Sequence, residues 1–305
     1  MIVVTTPTGR IGRRLVSLLL ESGSDIRVIV RDASQLDAAV RENVEVVEGS
    51  HSDAAVLDAA LPGADALFWL VPPNPRAPSA LEHYLHFARA GAAAIRRHDV
   101  PRFVSVTSAG HGWTEPAGVL SAAFAMDAEL ATSGAAYRAL SLPFYMENLL
   151  GQLDAMLERG AFTLTCAPDQ PLAMIATSDI AAYAAGLLTG LSWTGQQNVP
   201  LFAPDRLTPT GVAAVISEEL SRPVAYQRSG MEDFETLLGS RGASDQAVSD
   251  TVQMFAAQDS GIYDADWETA TIASTDFRTW CREVLRPAAE DATRAAPEPT
   301  ALAAR

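Results

Sequence analysis

Ile2-Val3-Val4-Thr5-Thr6-Pro7-Thr8-Gly9-Arg10-Ile11-Gly12-Arg13-Arg14-Leu15-Val16-Ser17-Leu18-Leu19-Leu20 is the stretch that decides the fold. The apolar run Ile2–Val4 reads as a strand, Thr5–Gly12 as a tight turn, and the amphipathic run from Ile11 to Leu20 as a helix. A strand, turn and helix in this order carry free backbone N–H groups to a helix N-terminus, where a dinucleotide's pyrophosphate binds. The usual glycine pattern would place its first glycine at Thr6, so only Gly9 and Gly12 remain. Context compensates: a second strand, Ile26–Val30, follows at the distance of a βαβ unit.

Arg31 closes that second strand. A carboxylate there would accept hydrogen bonds from an adenosine ribose, whereas an arginine meets a 2′-phosphate with charge-assisted bonds, which points to NADP over NAD. Asp32 would restore the NAD reading if it turned inwards. Arg10, Arg13, Arg14, Arg27 and Arg31 outnumber Glu21 and Asp25 over residues 1–31, a local positive region in a chain of formal charge −15.

Val44–Val47 reads as a third strand, 52–60 as a helix, and Ala66–Val71 as a strand buried on both faces and stopped by Pro72-Pro73. A long helix is expected over 79–98, a strand over 102–107, a helix over 120–132 and a strand over 137–141. The alternation predicts an α/β fold, a doubly wound parallel sheet of Rossmann type, with a smaller, mainly helical C-terminal substrate lobe. Residues 1–150 are the expected dinucleotide-binding domain, with 175–203 packing back on it; 151–286 supply mainly the substrate lobe, with one strand and several helices over 224–286. From Pro287 the Ala-, Pro-, Glu- and Thr-rich composition predicts a disordered tail over 287–305. Ligands of such sheets sit at the strand carboxyl ends. The segments 5–12, 31–32, 49–53, 71–74, 107–112 and 142–148 should therefore meet in one cleft.

At 305 residues, 48% hydrophobic and 19% charged, the chain can bury a large core. Strong negative charge argues against nucleic acid and against anionic membranes. No stretch reaches the ~20 apolar residues that span a bilayer, and the first residues enter a strand without a basic leader, so a cytoplasmic location is expected. The two cysteines, Cys166 and Cys281, read as small buried hydrophobes. Monomer and homodimer both stay open.

All 22 basic residues are arginines, so the chain contains no lysine. That removes the Walker lysine, a Schiff base, and the Tyr-x-x-x-Lys pair that lowers a tyrosine's pKa in ordinary short-chain dehydrogenases. Any redox chemistry must run without that dyad.

The pieces Val4–Gly12, Val30–Asp32, Val46–Gly49, Phe103–Gly110, Glu129–Gly134, Pro143–Asn148 and Thr177–Ala182 together resemble the NmrA-like group of atypical short-chain dehydrogenases/reductases, over nearly all of residues 1–286. The resemblance implies NADP-dependent reduction of quinones, azo compounds, phenylpropanoids or natural-product intermediates, and equally implies proteins that bind the dinucleotide and regulate without turnover. The chain departs from the pattern at Thr6, at Ser50, where an aspartate is usual, and at Ser141, where an arginine is usual. A β-branched Thr6 resists positive φ and brings a Cβ towards the pyrophosphate.

Thr6, Thr8, Gly9, Arg10, Ile11, Gly12 and Arg31 are the expected cofactor contacts, with Val71, Pro72, Thr107 and Pro143 at the other strand ends. Tyr145, His111 and Ser108 are the candidate catalytic residues. Tyr145 would protonate a developing alkoxide, with a pKa near the ordinary ~10 in the absence of a lysine, or serve as a pocket wall. His111, in a glycine-flanked loop at a strand end, is either an acid or substrate contact or an exposed loop histidine. Ser108 and Thr107 match the position where short-chain dehydrogenases hold a substrate-polarising hydroxyl. Glu147 and Asn148 match a structural Glu-Asn pair, with Asn148 tying down its loop. His83 and His86 share a helix face without a third ligand, so no metal is expected. Reduction of a quinone asks little of the protein's acids, because water supplies protons once hydride arrives. The leading expectation is an NADP(H)-dependent reductase of a quinone, ketone or related aromatic small molecule, in secondary metabolism by family analogy and by the high-GC character of the composition. The rival classes are a non-catalytic NADP-binding redox sensor and a non-redox isomerase or cyclase on the same fold.

Overall fold

The computed structural model describes residues 1–295. Its strands are β1 Ile2–Thr5, β2 Ile26–Val30, β3 Glu45–Glu48, β4 Ala66–Trp69, β5 Arg102–Ser108, β6 Ala136–Leu142, β7 Phe144–Tyr145, β8 Ala161–Leu164, β9 Met174–Ile175, β10 Gln196–Phe202, β11 Ala225–Arg228 and β12 Thr271–Ile272. Eight of them form one parallel sheet in the order β12-β10-β6-β5-β4-β1-β2-β3, the doubly wound α/β arrangement expected from the alternation. The chain winds from β1 out to β3, then crosses back to β4 on the other side of β1. That reversal opens a crevice at the carboxyl ends of β1 and β4.

Period-2 alternation sends successive strand residues to opposite faces, and both faces are apolar because both are covered. Val4, Val28, Phe68, Val104 and Leu140 pack beneath the helices Arg10–Glu21 and Thr177–Thr189. Val3, Ile29, Leu67, Trp69 and Phe103 pack beneath Ala54–Ala60, Ala80–Arg97 and Val119–Ala131. The helix Thr177–Thr189 packs on the sheet, and β10 pairs with β6.

A third core, with Met146, Phe162, Met174, Val212, Phe277 and Trp280, belongs to the C-terminal lobe. The lobe is joined to the sheet more closely than expected. Residues 224–286 hold two strands rather than one, and the second, β12, pairs with β10 through Leu201↔Thr271 and Phe202↔Ile272. Two residues are too short to show an alternating pattern. The expected disorder from Pro287 is corrected over 287–295, where a helix runs through Arg286–Ala295; the remainder of that expectation lies outside the described residues. Among the described residues no helix is long and apolar enough to cross a membrane.

Candidate active site

Thr5 anchors the crevice. Its side-chain hydroxyl donates to Phe68 O at 3.1 Å and accepts from Leu70 N at 2.9 Å, tying the end of β1 to the end of β4. The chain then turns at Thr6, which takes φ +52°, the left-handed region that a β-branched residue strongly resists. The turn directs the Thr6 carbonyl into the helix start, where Gly9 N donates to it at 3.1 Å. A Cβ on Gly12 would stand 2.1 Å from that carbonyl oxygen, so position 12 admits only glycine. Thr6 Oγ1 is buried with no partner among the described residues.

The helix Arg10–Glu21 starts from Gly9 with no side-chain cap and no acidic residue in its first turn. Its opening N–H groups and the positive end of its dipole are left for an anion. They face a cleft of about 760 Å³ lined by Thr6–Gly12, Arg31, Gly49, Ser50, His51, Pro72, Asn74 and Phe87. The exposed Arg10 and Arg31 guanidinia in that lining have no ion-pair or hydrogen-bond partner among the described residues. Asp32 does not turn inwards. Its carboxylate accepts from Ser34 N at 2.9 Å and from Ser34 Oγ at 2.6 Å, and those bonds hold its pKa below the ordinary carboxylate range. Arg31 at the end of β2 and Arg10 at the helix start, free among the described residues, thus fit a phosphate, and the carboxylate beside Arg31 is already engaged.

His51, missed in the sequence, closes this cleft. It is 6% exposed and packs on Trp69 and Phe87 at ring-centroid distances of 4.9 and 4.6 Å. Burial lowers its pKa to about 4, helped by the nearby His83 and Arg31 and opposed by a bond to the Leu70 backbone. The imidazole is therefore neutral at physiological pH. His83 is held by Pro72 O at 2.9 Å from Nε2, and no cluster of three potential metal ligands occurs among the described residues.

A second cleft, of about 340 Å³, adjoins the first; Leu70, Pro73, Tyr145 and Asn148 line both. Its remaining wall includes Val71, Tyr84, Thr107, Ser108, Met126, Pro143, Met254, Phe255, Gln258 and Tyr263, and none of its lining residues is charged. Val71, Thr107 and Pro143, expected against the cofactor, stand here, while Pro72 lines the first cleft. Ser108 is in the wall, with its hydroxyl donating to Ala109 O at 2.9 Å.

Tyr145 sits where the clefts meet. Its pKa is not near the ordinary value expected from sequence: burial, then the proximity of Tyr84, Tyr263 and Glu147, pushes the phenol well above it. The group is a hydrogen-bond donor that keeps its proton rather than an acid poised at neutral pH. His111 lines neither cleft. Its Nε2 meets Asp127 Oδ2 at 3.1 Å, and Asp127 also accepts from the buried Tyr137 hydroxyl, so the histidine pins the loop after β5 to the helix Val119–Ala131.

Glu147 has the structural part expected of it. Both carboxylate oxygens accept from Thr177 N, at 3.1 and 3.0 Å, and Oε1 accepts from Trp280 Nε1 at 3.1 Å. Asn148 does not tie down its loop; it is exposed at the junction of the clefts. Sequence carries no sign of this, because adjacent residues of one turn diverge, Glu147 inwards and Asn148 outwards. Gln258 and Tyr263 were missed for another reason. They come from the lobe, where no rule about strand ends applies.

The sequence pattern of the NmrA-like family matches residues 1–280. Quinone oxidoreductase 2 of Escherichia coli is 29% identical over 247 residues, covering 80% of this chain and 83% of that protein. The crystal structure of the NADPH complex of Escherichia coli quinone oxidoreductase QOR2 superposes with a TM-score of 0.72 at 24% identity, covering 96% of this chain and 100% of the other. The negative transcriptional regulator NmrA, in complex with NADP, superposes with a TM-score of 0.66 at 18% identity, covering 96% and 97%. An enzyme and a regulator thus share this fold.

Proposed function

The chain belongs to the NmrA-like family, and from that premise and the two adjoining clefts we propose that it is an NADP(H)-dependent reductase of an uncharged quinone, ketone or related aromatic acceptor. The observation that carries the reading is the second cleft: an apolar, uncharged chamber opening directly onto the basic glycine-turn cleft. A protein that only sensed the dinucleotide would need the first cleft and not the second.

Bound NADPH supplies the hydride. The backbone N–H groups at the start of Arg10–Glu21 would hold its pyrophosphate, and Arg31 with Arg10 would hold its 2′-phosphate. Leu70 and Pro73 form apolar wall common to both clefts. Tyr84, Phe144, Met254 and Phe255 present flat or adaptable apolar surfaces to an aromatic ring. Tyr145 donates a hydrogen bond at the junction without releasing its proton. With no lysine in the chain, positioning carries the rate and water supplies the protons.

NADPH and NADH binding by calorimetry, followed by oxidation of each with a panel of quinones and ketones, tests this. NADPH should bind preferentially and be consumed with a neutral quinone. Arg31→Ala should weaken NADPH binding about tenfold, the order expected for one charge-assisted contact, and leave NADH unchanged. Binding of neither nucleotide would overturn the reading; NADPH binding without reduction of any acceptor would favour the sensor.

A further inference from the structure

One polar arrangement in the second cleft is not needed for cofactor binding. Tyr263 stands between the helices Asp245–Asp259 and Asp264–Trp267, and its hydroxyl oxygen accepts a hydrogen bond from Gln258 Nε2 at 2.8 Å. An oxygen that accepts there leaves its own O–H free to donate elsewhere. The segment carrying Tyr263 is fixed against the end of β5. Asp266 accepts from Gly110 N at 2.6 Å, and Gly110, at φ +99°, admits Ile262 so closely that a Cβ would lie 2.5 Å from Ile262 Cγ1. Thr107, 6% exposed, lines the same cleft and has a buried hydroxyl with no partner among the described residues. A buried unpaired hydroxyl is costly, and a ligand oxygen would relieve it.

We infer that Tyr263, oriented by Gln258, is the hydrogen-bond donor that holds the carbonyl oxygen of a neutral acceptor in the second cleft, with Thr107 as the second polar contact. The inference rests on the reductase reading for its chemistry and on the lobe's own geometry for its residues. Burial raises the Tyr263 phenol above its ordinary pKa, against the opposing effect of the Gln258 amide and of the nearby Ser108 hydroxyl, so the proton stays on the oxygen. The acceptor carbonyl gains hydride from the nicotinamide, which is oxidised, and the balancing proton comes from water; Tyr263 polarises and positions without being consumed. An anionic acceptor would lose its hydration in a chamber with no cation to replace it. Neutral quinones and ketones are therefore selected over phosphorylated or sulfonated analogues.

Titration of 2-methyl-1,4-naphthoquinone into the protein by calorimetry, alongside NADPH oxidation, tests this with wild type, Tyr263→Phe, Gln258→Leu and the double variant. Tyr263→Phe should weaken quinone binding about tenfold and lower kcat/KM in proportion, with NADPH affinity unchanged. Gln258→Leu, which leaves the phenol ring in place and carries the test if Tyr263→Phe does not fold, should weaken binding by a similar or smaller factor. The double variant should be no worse than Tyr263→Phe alone, since Gln258 acts through Tyr263. No quinone binding, equal affinity in wild type and Tyr263→Phe, or additive losses in the double variant would overturn the inference. The expected binding losses without any NADPH oxidation in wild type would sustain it and overturn the reductase reading instead.

Discussion

Replacing Thr6 by glycine should stabilise the protein. Thr6 is held at φ +52°, where a residue with a Cβ is disfavoured by ~1–2 kcal/mol, and its buried hydroxyl has no partner among the described residues. Glycine adopts that backbone freely and removes the orphaned group. Against this stands the greater freedom of glycine in the unfolded chain, which costs ~0.5–1 kcal/mol. The net expectation is a gain of about 1–2 kcal/mol. For a chain of this length unfolding entropy near 60 °C is about 0.6 kcal/mol/K, so Tm should rise by about 2–3 °C. Thermal denaturation followed by far-UV circular dichroism, with Thr6→Ala beside Thr6→Gly, separates the two causes. Alanine deletes the hydroxyl but keeps a Cβ at positive φ, so its Tm should fall between those of wild type and Thr6→Gly. A Tm for Thr6→Gly at or below wild type would refute the argument; equal gains for alanine and glycine would refute its backbone part.

Two further outcomes follow from the same cleft. Gly12→Ala places a methyl 2.1 Å from Thr6 O and 3.0 Å from Pro7 Cα, backbone atoms that cannot swing aside. It should cost about 2–3 kcal/mol and abolish NADPH binding in a calorimetric titration; a near-native Tm would show that the turn yields. His51 governs a pH dependence whose sign is fixed by its lowered pKa. The unfolded chain takes up a proton below about pH 6.5 and the folded protein only near pH 4, so this contribution is present above pH 6.5 and lost as pH falls towards 4. Urea titrations at pH 7.5 and 4.5 should show the loss smaller by about 2.5 kcal/mol in His51→Phe; an unchanged difference between the two pH values would refute it.

The parts of this molecule that read clearly from sequence are those where local chemistry and fold agree. β1, its turn and the following helix are legible because apolar period, glycine and phosphate-binding geometry all fall within twelve residues. Arg31 is legible because the end of the second strand is a fixed address in such sheets. The direction of Asp32 is not, since whether a side chain caps its own turn or faces a ligand depends on hydrogen bonds to Ser34 that either reading allows. His111 misleads for a similar reason: the loop at a strand end is the right place, yet Asp127 from the helix Val119–Ala131 takes up the imidazole. Tyr263 and Gln258 reach the site through long-range packing of the lobe, and helices without a diagnostic loop give no register from which to place them.

β10 ends at Phe202 and β12 begins at Thr271, and the two are paired neighbours at the sheet edge. Everything between them, including Met254, Phe255, Gln258 and Tyr263 of the second cleft, is an excursion whose two ends are stitched side by side. Such an excursion can vary in length and sequence without altering where the sheet presents its cofactor turn. On the proposed reading, acceptor preference is in that sense an exchangeable cassette, one that can be grafted in the laboratory between β10 and β12 while the half that binds the cofactor stays unchanged.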